Sequence, residues 1–223
     1  ALVPMGYCLL DDLIADYESQ PHEAHTRPVV LIAPSWQQDN LLDTCIDGLI
    51  ESQLQADCRV VVRPHPEYVK RFKAQAAALK ECWAHVDAER LSMEMDFTSN
   101  VTIFTADTVV TDWSGIAYEF SFATLKKTLY IDTPMKISNP DFPQCKTPPF
   151  DLGIRKRIGV CLKPEEVSEA GATVRRMLAE APQSEAELRR IREESVFNVG
   201  HAGEVGGRYL LKQLVARTQN AKE

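Results

Sequence analysis

The segment from Val109 to Phe120 constrains the fold more than any other part of the sequence. It begins as an apolar, β-branched run, passes through a polar turn at residues 112–115, and continues with the spacing of an amphipathic helix. A strand that leads into a helix through such a turn leaves the first N–H groups of the helix without partners, and with the helix dipole these form an anion site. Ser114 can cap the helix or donate its hydroxyl to the anion. Taken alone, the turn is better explained by an ordinary N-capped helix.

A second polar turn, which reads Arg-Pro-His-Pro, occupies residues 63–66 and follows another apolar run at residues 59–62. His65 stands between two prolines, which hold the backbone extended. A histidine in this place can donate a hydrogen bond to a phosphate or carry a proton to a leaving phosphate, and Arg63 adds positive charge. The alternative is a histidine that merely closes the end of a strand.

Apolar runs alternate with helical patterns along most of the chain. We predict strands at residues 29–33, 59–62, 91–95, 108–111, 128–131 and 158–162, and helices at 41–54, 68–79, 99–104, 116–124, 164–181, 185–194 and 203–218. This alternation predicts an α/β fold, a Rossmann-like parallel sheet with helices on both faces. Ligands of such sheets bind at the carboxyl ends of the strands, where both polar turns lie. Residues 133–157 are rich in proline and are predicted to form a long irregular loop.

Composition and charge argue against several classes of protein. The net charge of −7, without a long basic run, disfavours a nucleic-acid binder. No apolar stretch approaches the roughly 20 residues that span a bilayer, and residues 1–10 lack the pattern of a signal peptide. The six cysteines form no Cys-x-x-Cys pair and are predicted to be reduced thiols rather than metal ligands. We expect a cytoplasmic protein.

Together, the two turns predict a site for a nucleoside diphosphate with a ribose to one side. Gly115 lets a ligand approach the backbone closely, and Glu119 can accept hydrogen bonds from two ribose hydroxyls. Asp112 can orient the turn. The alternatives are a simple cap for Asp112 and a surface acid for Glu119. The candidate substrate-binding residues are Arg63, His65, Asp112, Ser114, Gly115 and Glu119, and His65 is also the candidate catalytic residue.

Four motifs stand in the order and spacing of a known family: Gly-Tyr and Leu-Asp within residues 6–11, Ala-Pro-Ser-Trp at 33–36, Arg-Pro-His-Pro at 63–66, and Thr-Asp-Trp-Ser-Gly at 111–115. Over most of its length the chain resembles the CDP-glycerol glycerophosphotransferase family, which builds teichoic acids and related polymers. The resemblance implies that His65, Ser114 and Gly115 contact the donor pyrophosphate and that Glu119 binds the ribose. The chain departs from the family at Gly115, where a second hydroxyl residue is usual, and at residues 125–128, where Gly-Lys-Pro is common.

The resemblance also implies a two-domain GT-B glycosyltransferase fold. Residues 1–28 are then a connector from an N-terminal domain, and residues 29–223 are the C-terminal, nucleotide-binding domain. The expected activity is transfer of glycerol phosphate, or a related polyol phosphate or sugar, from a CDP-activated donor to a cell-wall or capsule polymer. The N-terminal domain would bind most of the polymer or lipid-linked acceptor, so we expect this chain alone to be inactive. We expect no cofactor, no metal and no nucleic-acid partner; peripheral contact of the full-length protein with the inner face of the cell membrane is left open.

Three alternatives remain open at this stage. The spacing from Asp112 to Glu119 is also similar to the ribose-binding turn of UDP-N-acetylglucosamine 2-epimerase, so a UDP-sugar site of an epimerase is one. A donor site of another GT-B glycosyltransferase is the second. The third is a non-catalytic module that only binds a nucleotide.

Overall fold

The short apolar runs of the sequence form one parallel sheet. The structure is a computed structural model, and it describes residues 2–22, 24–98, 100–137 and 139–220. Within these residues, six strands lie in the order β3-β2-β1-β4-β5-β6. They are β1 (Val29–Ile32), β2 (Arg59–Val62), β3 (Leu91–Met93), β4 (Thr108–Thr111), β5 (Thr128–Ile131) and β6 (Gly159–Leu162). All neighbours are parallel, which confirms the predicted Rossmann-like sheet.

Helices cover both faces of the sheet. They are α1 (Cys8–Glu18), α2 (Leu41–Thr44), α3 (Ile46–Gln55), α4 (Pro66–Arg71), α5 (Lys73–Cys82), α6 (Val101–Thr105), α7 (Ile116–Thr124), α8 (Phe150–Ile158), α9 (Ala170–Ala179), α10 (Ala181–Ser195) and α11 (Ala202–Asn220). The apolar cluster on one face includes residues of α2, α3, α5 and α9. The cluster on the other face includes residues of α1, α7, α8 and α10. Every residue of β1, β4 and β5 is buried between these layers, as expected of a parallel sheet covered on both sides.

The prediction of an irregular loop over residues 133–157 is wrong for its last part, residues 150–157, which are helical. A 3-10 turn covers Phe142–Gln144, and α8 begins directly after Pro149. Proline is well tolerated just before a helix, where no N–H donor is needed. Ile154 and Ile158, four residues apart, are both buried on the face that α8 turns to the sheet. Their spacing is a helical signal that the high proline content obscured.

Smaller differences concern helix boundaries. The predicted helix over 41–54 is divided at Cys45, and the one over 68–79 begins earlier and is divided at Phe72. The predicted helix over 164–181 starts as a 3-10 segment, Pro164–Glu169. Ser99, the predicted start of another helix, lies outside the described residues. None of these changes moves a strand.

The segment predicted as a connector contains a helix, α1, that packs against the helices on one face of the sheet. Helix α1 contacts α7, and its Leu10 and Leu13 are buried in the same apolar cluster as Phe122. Helix α11 also contacts α1, while its Leu210, Leu211 and Leu214 are 59–68% exposed. Among the described residues, no helix is long and apolar enough to cross a membrane.

Candidate functional site

The candidate residues meet in a cavity at the carboxyl ends of β1, β2 and β4. The strand order reverses between β1 and β4, and crevices at such a switch point are the usual ligand sites of this type of sheet. The cavity has a volume of about 340 Å³, within the usual range for sites of small ligands. Five of the six predicted residues line it: Arg63, His65, Ser114, Gly115 and Glu119. The apolar part of the wall includes Phe97, Ile103 and Ile116.

Asp112 does not line the cavity. Its side chain is fully buried, and its Oδ1 accepts hydrogen bonds from the N–H groups of Ser35, at 2.7 Å, and Trp113, at 2.6 Å. Its Oδ2 accepts from the N–H of Leu41 at 3.1 Å. The carboxylate therefore ties the loop after β1 to the loop after β4. These contacts suit the role of orienting the turn, but Asp112 was also predicted to bind the substrate, and it is not among the residues that line the cavity.

Arg155 supports the same turn from the other side. Its guanidinium donates to the main-chain oxygen of Asp112 at 2.5 Å and to the carboxylate of Asp132. It also lies between two aromatic rings, 4.1 Å from the ring centre of Trp113 and 4.2 Å from that of Tyr130. A planar, permanently charged group suits such a stacked position. Sequence patterns missed Arg155, since the segment that holds it was predicted to be a loop.

The start of α7 offers unpaired donors to the cavity. The residue that caps this helix is Gly115 and not Ser114, for which capping was one of two predicted roles, and the φ of Gly115, −61°, is ordinary helical backbone. Among the described residues, no hydrogen bond occupies the N–H groups of Gly115 and Ile116. Such groups, with the positive end of the helix dipole, bind anions. A Cβ atom at Gly115 would lie 2.8 Å from the Tyr118 hydroxyl oxygen, so glycine is needed here for space rather than for its φ.

His65 is held in one tautomer by the helix that follows it. It caps α4, and its Nδ1 accepts a hydrogen bond from the N–H of Glu67 at 3.1 Å. In a neutral imidazole the other nitrogen then carries the hydrogen, so Nε2–H is a donor, and no hydrogen bond among the described residues occupies it. Burial lowers the pKa of His65, the nearby Lys136 cation lowers it further, and Glu67 opposes both. At neutral pH the ring is an uncharged donor at the edge of the cavity.

Arg63 lines the cavity, and its guanidinium forms an ion pair with the carboxylate of Glu94. Its Nη1 donates to Glu94 Oε1 at 2.7 Å, and its guanidinium lies 5.7 Å from the ring centre of Phe97. Sequence patterns missed Glu94 and Phe97. The signal was present, because residues 94–97 follow the end of β3, a third carboxyl end beside those of β1 and β2.

Glu119 lies in the first turn of α7 and is held by a residue far away in the sequence. The hydroxyl of Tyr7 donates to Glu119 Oε1 at 2.5 Å. Both side chains are partly buried. Tyr7 belongs to the first of the four sequence motifs, but the sequence alone gave it no contact.

A family profile described as "CDP-Glycerol:Poly(glycerophosphate) glycerophosphotransferase" matches residues 7–134, more than half of the chain. The chain belongs to this family. The matched range includes all six candidate site residues. A search of curated protein sequences finds no match.

Solved structures similar to this glycerophosphotransferase-family chain are GT-B enzymes. The wall teichoic acid polymerase TagF soaked with CDPG has a TM-score of 0.51 at 14% identity, over 97% of this chain and 51% of that one. A trehalose-phosphate synthase from Burkholderia vietnamiensis has a TM-score of 0.52 at 9% identity, over 96% and 50%. The forosaminyltransferase SpnP has 0.51 at 16%, over 87% and 45%. At such low identities the structural likeness establishes the fold alone. The chain spans about half the length of each of these proteins.

Proposed function

We propose that the cavity binds the nucleoside diphosphate of a CDP-activated polyol donor, with CDP-glycerol as the first candidate. The observation that supports this is the convergence of three different groups on one cavity: the Nε2–H donor of His65, the free N–H groups at the start of α7, and the Glu119 carboxylate. Two of these suit phosphate and the third suits a diol. The family membership and the fold support the same assignment.

In the proposed binding mode, the pyrophosphate lies between His65 and the start of α7. The hydroxyl of Ser114 adds one donor, and the Arg63–Glu94 pair adds a charged group at the wall. The ribose lies against Glu119. The base contacts the apolar wall, which includes Phe97 and Ile103.

In the proposed reaction, an acceptor hydroxyl attacks the outer phosphorus of the donor. A new P–O bond forms, the bond from that phosphorus to the bridging oxygen breaks, and its electron pair leaves with CMP. The Nε2–H of His65 and the N–H groups of α7 stabilise the charge that develops on the leaving phosphate. His65 does not take the acceptor proton, since Nε2 already bears a hydrogen and Nδ1 is occupied by the Glu67 N–H. We assign that proton to a base outside this chain. We place this base, and most of the acceptor site, in the part of the relatives that has no counterpart in this chain.

Calorimetric titration of the 223-residue chain with CDP, CMP, UDP and CDP-glycerol tests the donor assignment. We expect CDP and CDP-glycerol to bind about 10-fold or more tightly than CMP, since one further charged phosphate meets the donors. We also expect CDP to bind more tightly than UDP. Tighter binding of UDP would reassign the site to a UDP-sugar, and no binding of any nucleotide would overturn the proposal.

A second measurement tests whether this chain catalyses the transfer without the part that it lacks relative to similar proteins. The chain is incubated with CDP-glycerol and a poly(glycerol phosphate) acceptor, and CMP release is followed. We expect no release by this chain alone, because the proposed base is not among its cavity residues. Sustained CMP release would show that the chain carries the whole catalytic apparatus.

A further inference from the structure

We propose that Tyr7 is a positioning residue that orients Glu119 toward the ribose, and so sets the preference of the site for ribonucleotides over 2′-deoxyribonucleotides. This inference rests on the proposed function, because it concerns the ribose end of the same cavity. It assigns a task to the first sequence motif, which contributes no side chain to that cavity.

The contact between the two side chains has a fixed direction. Tyr7 Oη donates to Glu119 Oε1 at 2.5 Å, and the two residues are 112 positions apart. Burial raises the pKa of Tyr7, and the hydrogen bond and negative charge of Glu119 raise it further. The hydroxyl therefore keeps its proton at any pH at which the site works, and it is the donor of this hydrogen bond.

This contact limits how the carboxylate can rotate. The last torsion of a glutamate side chain is broad, so a partly exposed carboxylate without a partner samples many orientations. An ionised carboxylate has about four acceptor positions, and Tyr7 takes one of them on Oε1. Oε2 and the second position on Oε1 stay available for the two ribose hydroxyls. Because the orientation exists before the ligand arrives, binding loses less side-chain entropy.

Tyr7 itself is held in place by the close approach of two backbone segments. Gly6 has a φ of +116°, a conformation that favours glycine. A Cβ atom at Gly6 would lie 2.4 Å from the carbonyl oxygen of Phe197 and 2.7 Å from Cβ of Ala202. Glycine therefore lets the segment before α1 pack directly on the turn between α10 and α11.

Hydrogen bonds fasten the same two segments together; we call residues 4–11 with residues 197–202 the clasp. The side-chain amide of Asn198 donates to the carbonyl oxygen of Pro4 at 2.7 Å. The carboxylate of Asp11 accepts from the N–H groups of Gly200, at 2.6 Å, and Ala202, at 2.9 Å. The clasp fixes the backbone on both sides of Tyr7, so the position of its hydroxyl depends on a turn nearly 200 residues away.

The test is Tyr7→Phe, which keeps the ring and removes only the hydroxyl. The ligands are CDP, 2′-deoxy-CDP and inorganic pyrophosphate, titrated by calorimetry. We expect the affinity for CDP to fall by about 3- to 10-fold, the effect of ordering one side chain on binding. The affinities for 2′-deoxy-CDP and pyrophosphate should change much less, so that the ratio of CDP to 2′-deoxy-CDP affinity falls. Tyr209→Phe, which removes a hydroxyl from α11 without touching Glu119, is the control and should leave the ratio unchanged.

A double-mutant cycle with Glu119→Ala, which removes the acceptor of the Tyr7 hydroxyl, separates an action through Glu119 from a general structural effect. If Tyr7 acts through Glu119, then Tyr7→Phe should change little in the Glu119→Ala background. Asn198→Ala, which loosens the clasp, provides a second variant and should lower the same ratio.

The outcomes distinguish the two proposals. A wild-type chain that binds neither CDP nor 2′-deoxy-CDP would overturn the proposed function, and this inference with it. A wild-type preference for CDP that Tyr7→Phe leaves intact would overturn the inference alone. An increase in CDP affinity in Tyr7→Phe would also overturn it, because Tyr7 would then compete with the ribose for Glu119.

Discussion

Replacement of His65 separates two tasks that the structure assigns to opposite sides of one ring. Nδ1 accepts the Glu67 N–H and caps α4, while Nε2 carries the hydrogen that a phosphate can accept. His65→Ala removes both. Loss of a cap costs about 0.5–2 kcal/mol of stability, and loss of a hydrogen bond to a charged phosphate costs about 1.5–3 kcal/mol of binding. His65→Asn keeps an oxygen that can cap the helix but lacks Nε2, so it should lose binding and keep stability.

The assay pairs chemical unfolding with calorimetry. For both variants we expect CDP affinity to fall by roughly 10- to 100-fold and CMP affinity to fall less, since CMP lacks the outer phosphate. Only His65→Ala should unfold at a lower denaturant concentration. His85→Asn is the control, because His85 is exposed, contacts the carbonyl oxygen of Cys82 and the ring of Trp83, and does not line the cavity. Equal losses for CDP and CMP would refute the assignment of His65 to the outer phosphate, and full stability of His65→Ala would refute its role as a cap.

The same ring makes stability depend on pH. The folded state lowers the pKa of His65 below its ordinary value of about 6.5, mainly through burial. A histidine whose pKa is lowered on folding contributes its full stability above that ordinary value and loses it as the pH falls through the lowered pKa. Between pH 7.5 and pH 5 the wild type should therefore lose more stability than His65→Asn. An equal loss in both proteins would contradict this.

Three further predictions concern the polar turn after β4 and the start of α7. Asp112→Asn should lower stability by about 2–4 kcal/mol, because an amide presents an N–H₂ group to buried backbone donors that include the N–H of Leu41; unchanged denaturant unfolding would show that Asp112 does not hold the two loops together. Glu119→Gln should weaken CDP binding and leave pyrophosphate binding unchanged, and equal effects on both in calorimetry would remove Glu119 from the ribose. Gly115→Val should weaken both ligands, since its side chain meets Tyr118 and crowds the start of α7; unaltered pyrophosphate binding would place the anion elsewhere.

Much of the fold follows from local patterns. The runs that became β1, β2 and β4 are β-branched, apolar and ended by proline or a polar turn, and each lies where it was predicted. The helix α8 was missed because several prolines stand before it, although Ile154 and Ile158 have helical spacing. Strand positions depend on the local composition of the sequence. The formation of a helix such as α8 also depends on whether its apolar face is buried against the rest of the protein.

The candidate site was predictable in part, because two of its segments directly follow strands that local patterns predict. Polar turns that follow parallel strands must share one edge of the sheet, so the meeting of His65 with Ser114 and Gly115 follows from sequence and topology. The different surroundings of Asp112 and Glu119 do not follow from the sequence. Both are acids near one turn, yet Asp112 is buried on backbone N–H groups and Glu119 lines the cavity.

The sequence by itself determined the class of fold, the strands that carry the site and the family motifs, because these depend on the order of residue types along the chain. Only the tertiary structure decided which side chains contact each other over long separations. Tyr7 holds Glu119 across 112 residues, and Asn198 fixes the backbone of Pro4 across 194. Such contacts depend on how loops and helices pack after the sheet has formed, and no local periodicity encodes that packing.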